Sequence, residues 1–256
     1  MLLLKLIIRN ALARHPVRAL LTVAGVALAV LAFGMLRTVV DAWYAGVELS
    51  SATRLVTRNS ISLIFPLPLA YKERIRAVPG VTIVAAANWF GGVYQDPKNF
   101  IAIFAVEEGP YFRLYPEYLI PEKEMEDFNR DRQGCIAGRK LAERFHWKVG
   151  DAISIQGTIF PGDWPMHVRG IYTGRDKNID ETQLIFHWDY LNETMKKVSP
   201  RRADQVGFYM VGIERPELAA EISKSIDERF ANSLAETLTE TEKAFQLGFV
   251  AMSSAI

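Results

Sequence analysis

The chain has 256 residues, half of them hydrophobic and 23% charged, which excludes a disordered chain and supplies material for a sizeable core. A net charge of +1 argues against a nucleic-acid partner, and a single cysteine, Cys135, excludes an intrachain disulfide framework and a cysteine-cluster metal site. The charge is uneven: residues 1–18 carry Lys5, Arg9, Arg14 and Arg18 and no acid, so +4, and the remainder is −3.

Residues 2–13, LLLKLIIRNALA, are apolar, with Lys5 and Arg9 spaced i,i+4 on one face, and Pro16 interrupts the pattern. This predicts a short basic amphipathic helix along the inner membrane surface; an ordinary charged leader is the alternative. Residues 19–36, ALLTVAGVALAVLAFGML, form an uncharged run between Arg18 and Arg37. As a helix it spans about 27 Å, close to the hydrocarbon thickness of a bilayer. If Arg37 snorkels, the span extends to residue 40. A retained transmembrane helix over 19–40 is the favoured reading, against a cleaved signal peptide or a core helix. The basic flank places the N-terminus in the cytoplasm and the following body outside it.

Residues 41–244 alternate between helix and strand patterns. A helix is expected over 68–78, with Pro68 at its start, Ile75 and Val78 inward and Pro79-Gly80 as the stop. Strands are expected over 81–87 and 100–106. A short helix over 139–145 turns through Gly150-Asp151 into AISIQ, a half-buried strand. Further strands are expected over 166–172, 184–188 and 206–213. The clearest helix is 216–232, where Leu218, Ile222, Ile226 and Phe230 make one apolar stripe. The body is thus α+β, with a weak division near residue 130 where EKEMEDFNRDRQG is charge-rich. Residues 234–243 are polar and read as a solvent-exposed helical stalk containing Leu238. The ending FQLGFVAMSSAI, 245–256, is uncharged but too short to cross a bilayer. It reads as the start of a truncated second transmembrane helix, or alternatively as a segment packed on the body.

Catalytic signals are lacking. GCIAGRK at 134–140 does not have the spacing of a phosphate-binding loop. His15, His146, His167 and His187 show no paired metal spacing, and His167 and His187 read as structural. Cys135 reads as a buried thiol, and Asp176, Asp180 and Glu181 as solvated loop charges. No catalytic, metal-ligating or cofactor-binding residue is assigned, so the chain is read as a non-enzyme without a cofactor. The cluster Trp89-Phe90-Gly91-Gly92-Val93-Tyr94 stands out, joined by Trp164 in the PGDWP loop. Its glycines allow a turn or close backbone approach, and its aromatics either pack inside that turn or contact a substrate or partner.

The residues also carry a family resemblance. LIIRNALARHPVRALLTVAGVALAV resembles the opening of FtsX/MacB-like ABC transporter permeases. AVPGV, CIAGRKLAERFHWKVGDAISI and HVRGIY resemble their extracytoplasmic core domain, and TETEKAFQLGFVAMSSAI resembles the entry to their second transmembrane helix. WFGGVYQDPKNF and the ending ERFANSLAETLTETEKAF resemble one bacterial branch of such permeases. The family has four transmembrane helices, three of them after the large domain, so the chain resembles the N-terminal portion of a permease. The resemblance implies an ABC-type ATPase subunit, a second permease subunit (identical or different) and membrane lipid as partners, in the bacterial inner membrane. It implies that ATP hydrolysis by the partner moves the extracytoplasmic domain to move or extract a substrate. Leu218, Ile222, Ile226, Phe230 and Leu238 are then candidates for mechanical coupling. The alternative is a membrane-anchored extracytoplasmic sensor or binding domain.

Overall fold

The computed structural model describes residues 16–47, 52–177 and 179–253. The amphipathic segment expected at 2–13 lies outside them. The chain divides between Ala45 and Gly46 into two units.

The first unit contains helix α1, Pro16–Val47. Proline suits its first position, where the missing N–H would have no intrahelical acceptor. Pro16–Thr38 is long and apolar enough to cross a membrane, and none of its apolar window is buried. Thr22 Oγ1 donates to the Arg18 carbonyl at 2.9 Å and Thr38 Oγ1 to Gly34 at 2.8 Å. Both hydroxyls are thus satisfied inside the helix, as an apolar surrounding requires.

The second unit is an α+β body. Its strands are β1 (Arg54–Asn59), β2 (Leu67–Pro68), β3 (Val81–Trp89), β4 (Gly92–Val93), β5 (Phe100–Val106), β6 (Tyr118–Leu119), β7 (Gly134–Gly138), β8 (Ala152–Gly157), β9 (Gly162–Gly174), β10 (Gln183–His187), β11 (Gln205–Val206), β12 (Phe208–Ile213) and β13 (Thr237–Thr241). Its helices are α2 (Tyr71–Arg76), α3 (Glu108–Leu114), α4 (Glu122–Arg130), α5 (Arg139–Phe145), α6 (Trp188–Val198), α7 (Ala219–Phe230) and α8 (Glu242–Ser253). The expected strands and the helices at 139–145 and 216–232 are present with small shifts of boundary. The helix expected over 68–78 is shorter, because Pro68 pairs with Gln205 in a two-residue ladder. No division falls near residue 130: the charge-rich stretch there forms α4, which rests on β9 and buries Phe128.

Pairing follows the order β10-β7-β9-β8-β4-β5-β3-β12-β1-β13, and β10 also pairs with β5. The first six strands therefore close into a ring. β5 makes closure possible: one edge runs parallel to β10, and the other meets β4 at its start and β3 at its end. The last four strands continue as an open sheet with β13 at its edge.

β7 and β12 are buried at every position and read as apolar runs, whereas β8 alternates strictly between buried and exposed residues. Ile103, Ile155, Met166, Leu184 and Phe186 belong to one core, while Ala87, Ile136, Ile185 and Met210 belong to a second. β9 serves both because of a bulge. Its pairing with β7 slips between Cys135 and Ile136, which are opposite Val168 and Gly170. The extra residue reverses the alternation, sending Val168 into the first core and Tyr172 into the second.

Residues 234–243 are not a helical stalk. Thr237–Thr241 is strand β13, paired antiparallel with β1 in the register Leu238↔Arg58 and Thr241↔Leu55. Alternating threonines suit a strand, and β1 supplies hydrogen-bond partners that the local sequence does not reveal. Leu238 stays on the outer side of this edge at 37% exposure. Leu238→Ala should therefore cost under about 1 kcal/mol in a denaturant titration, as exposed substitutions generally do.

Candidate functional site

A buried polar cluster gathers at the end of the body where β1 begins and β13 ends. Arg54, in the first position of β1, lies 188 residues from Glu242, the first residue of α8. Its Nε donates to Glu242 Oε2 at 2.5 Å, its Nη1 to the Leu114 carbonyl at 2.8 Å, and its Nη2 contacts Glu117 Oε1 at 2.8 Å. Its guanidinium carbon lies 4.3 Å from the centre of the Tyr115 ring, and the Tyr115 hydroxyl donates to Glu242 Oε1 at 2.8 Å. Each polar arm of Arg54 thus has a fixed acceptor.

The local sequence explains these positions. Arg54 shares its strand face with Val56, which belongs to the second core together with Tyr115. Tyr115 and Glu117 follow the end of α3, where the Leu114 carbonyl is free to accept. Thr241 starts α8 as a cap, its Oγ1 accepting from the Ala244 N–H at 3.1 Å. Glu242 is therefore held in the first turn, where a carboxylate is favoured. Burial alone would make Arg54 easier to deprotonate. The neighbouring Glu242 carboxylate, with hydrogen bonds to Glu117 and Glu242, outweighs this and holds the guanidinium more firmly protonated than usual. Burial, and then the charge of Glu242, push the Tyr115 hydroxyl well above its ordinary range. It remains a donor at any physiological pH.

The ring of Tyr115 continues into a tyrosine ladder. Centroid distances are 4.6 Å from Tyr111 to Tyr115, 5.3 Å to Tyr118 and 4.7 Å on to Tyr172. The ion cluster is thus anchored in aromatic packing. We call it the clasp, because it joins the first strand of the body to its last helix.

The stripe predicted on 216–232 docks as expected. Ile222, Ile226 and Phe230 are buried, and Leu218, in a short 3-10 turn before α7, packs against the same core. The Phe230 ring stacks on Tyr71 at 4.0 Å, with the Arg74 guanidinium 4.4 Å from its centre. From the flank of the same stripe, Asp227 accepts from Thr237 Oγ1 at 2.8 Å, the Thr239 N–H at 3.0 Å and Thr239 Oγ1 at 2.8 Å. Helix α7 is thus tied to β13, which leads directly to the clasp. Leu238 lies between the two threonines, on the opposite face of the strand.

The aromatic cluster divides. Phe90 and Trp164 meet at 5.2 Å, but inside the strand ring, with exposures of 0% and 3%. Phe90 also stacks on Phe160, and Trp164 Nε1 donates to the Phe160 carbonyl at 3.0 Å. Neither presents a surface to a partner; both are core residues. The reason is the turn: Gly91 adopts φ 57°, which lets the chain fold Phe90 inward. A Cβ on Gly92 would come within 2.5 Å of Ile155, so the close backbone approach is real. Trp89, against Phe104 at 4.9 Å, and Tyr94, between Phe145 and Trp147, are half-buried.

His187 is buried, its Nε2 2.9 Å from the Phe128 carbonyl, and His167 pairs with Asp131 at 2.8 Å. Cys135 is fully buried in β7, and burial raises its thiol pKa far above the ordinary value. It should resist iodoacetamide at pH 8 in the folded protein and react on unfolding, as mass spectrometry would record. The clasp itself carried no sequence signal. Arg54, Glu117 and Glu242 are scattered charges, and only long-range pairing brings them together.

The family model for the MacB-like periplasmic core domain matches residues 19–229. The chain belongs to the MacB-like periplasmic core domain family. No curated protein matches it. Two solved structures share the fold of the MacB-like domain. The extracellular domain of the noncanonic ABC-type transporter YknZ from Gram-positive bacteria aligns with a TM-score of 0.51 and 11% identity, over 73% of this chain and 98% of that one. The periplasmic region of MacB from Actinobacillus actinomycetemcomitans aligns with a TM-score of 0.51 and 8% identity, over 77% and 92%. The α+β body is therefore a MacB-like domain, of the kind found outside the cytoplasm in those transporters, and it follows an apolar helix.

Proposed function

We propose that the protein is a permease subunit of an ABC transporter, or the N-terminal portion of one, in a bacterial inner membrane. Residues 1–18 are its cytoplasmic basic segment, 19–40 its first membrane span, 41–244 its extracytoplasmic domain and 245–256 the entry to a second span. An ABC-type ATPase subunit binds on the cytoplasmic side, and a second permease subunit, identical or different, completes the assembly. The chain itself is not the enzyme. ATP binding and hydrolysis by the partner move the spans, and the MacB-like domain transfers that movement to a substrate.

The observation that carries this reading is an unburied, membrane-length helix joined to a body of the MacB-like family. The clasp gives it a mechanism. It fixes α8 to β1, while Asp227 fixes α7 to β13, so displacement of α8 is passed to the strands of the body. Phe245 supports this, being half-buried against the body with its ring 6.2 Å from Phe208. Trp89 and Tyr94 remain candidate contacts for substrate or partner.

A reporter enzyme that is active only outside the cytoplasm, fused after residue 60 or 150, should be active. Edman sequencing of the mature chain should begin at the native N-terminus, which separates a retained span from a cleaved leader. Affinity purification from the native membrane should retain an ABC-type ATPase. Cytoplasmic activity of both fusions would reverse the topology and remove the transporter reading with it.

A further inference from the structure

At the end of β1 opposite the clasp, the chain turns through residues 60–66, SISLIFP, before it enters β2. Three apolar side chains of this turn stand in solvent: Ile61 is 79% exposed, Ile64 88% and Phe65 51%. The Ser60 N–H donates to the Glu236 carbonyl at 2.9 Å, which brings the turn beside the connection from α7 to β13, where Leu234 is fully exposed. None of the four belongs to either core. A lone exposed apolar residue needs no explanation, but four on two adjoining turns mark an interaction surface.

The turn is held in place. Asn59 Oδ1 accepts from the Ile61 N–H at 3.0 Å, Ser62 Oγ from the Ile64 N–H at 3.3 Å, and the Ser62 carbonyl from the Phe65 N–H at 3.2 Å. At its base Leu67 is buried, and β2 pairs with β11. The apolar side chains thus stand on a fixed backbone, so docking costs little ordering entropy.

Charge and area select the occupant. From Asn59 to Tyr71 there is no charged residue, and between Phe230 and Thr239 the sole charge is Glu236, whose carboxylate accepts from the Asn232 N–H at 2.8 Å. A charged partner surface would find little to pair with here. A two-fold contact sets a surface against itself, where like charges would meet, and a nearly neutral apolar surface avoids that cost. The neighbouring sheet edge is not an alternative route to pairing, because Asp227 already occupies the Thr239 N–H of β13. The four side chains expose on the order of 600 Å² per copy, against roughly 800 Å² per partner in a standard interface. That area fits a self-association of micromolar strength or weaker.

We propose that this tip is where the bodies of two copies of the chain meet, with Ile61, Ile64, Phe65 and Leu234 of each copy packed on the same residues of the other. The proposal rests on the transporter reading only in making its second permease subunit an identical chain. A chain that stays monomeric yet retains its ATPase would overturn the proposal and leave that reading standing.

The test uses the full chain in dodecyl maltoside micelles. Cys135 is the sole native cysteine and is fully buried, so a thiol introduced at the surface reports alone. Ile64→Cys, oxidised with copper phenanthroline, should give a disulfide-linked dimer on a non-reducing gel. Adding Leu234→Asp should slow that cross-linking at least tenfold, because a charge is then buried without a partner. Leu119→Cys, at a 45% exposed position of β6, is the collision control and should cross-link at least tenfold more slowly than Ile64→Cys. Sedimentation equilibrium of the wild type should show monomer and dimer, and Ile64→Asp should raise the dissociation constant at least tenfold. Every substituted side chain is exposed, so folding is preserved, and far-UV circular dichroism checks this. Cross-linking of Leu119→Cys as fast as that of Ile64→Cys would overturn the proposal. So would a dissociation constant unchanged by Ile64→Asp, which would place the association elsewhere in the chain.

Discussion

Arg54→Met should lower the unfolding free energy of the domain by about 3–5 kcal/mol, the usual cost of removing one partner from a buried ion pair. The side chains of Arg54 and Glu242 are each only 6% exposed, so little water can replace the lost contact. The variant leaves the Glu242 carboxylate desolvated, the Leu114 carbonyl without its donor, and the Tyr115 ring without its cation. Urea denaturation of the full chain in detergent, followed by tryptophan fluorescence, measures the change. The double variant Arg54→Met, Glu242→Met should recover more than half of the loss, because it removes the stranded charge along with its partner. A loss under about 1 kcal/mol for the single variant would show that the cluster is solvated like a surface pair. If the double variant is no better than the single one, the clasp is not an ion pair in the energetic sense.

Phe230→Ala should cost about 3–5 kcal/mol, as large-to-small changes at fully buried aromatic positions do. The ring is 0% exposed, at the end of α7, stacked on Tyr71 and capped by the Arg74 guanidinium. Arg74 also donates to the Arg229 carbonyl at 2.6 Å, so the cavity is bounded by a held side chain that cannot collapse freely into it. Phe230→Leu should recover a good part of the loss by refilling volume. The same denaturation experiment reads both variants. A cost near that of Leu238→Ala would mean that α7 is only loosely docked, and its role in passing movement to β13 would fall.

Local pattern was a sufficient guide wherever one element could be read alone. The uncharged run at 19–36 is helical and long and apolar enough to cross a membrane, and both properties are legible in its composition. The stripe on 216–232 has a single periodicity, so its docking face was visible in advance. The strand AISIQ and the helix at 139–145 are likewise set by alternation and by turn residues. Local pattern misled where a long-range partner decides the outcome. Residues 237–241 have helix formers on both sides, yet β1 holds them as a strand. Phe90 and Trp164 look like surface anchors beside glycines and prolines, yet ring closure through β5 turns them inward.

The sequence by itself determined the membrane-length helix, the α+β class of the body and the apolar face of α7, because each depends on the spacing of neighbours along the chain. The clasp and the slip in β9 that moves Tyr172 to the second core were decided only by the tertiary structure. Arg54, Leu114, Glu117 and Glu242 come from three separate parts of the chain, and no local spacing relates them. A charged residue read alone is a solvated residue. Only when strand pairing brings β1 and β13 together does burial make those charges need one another.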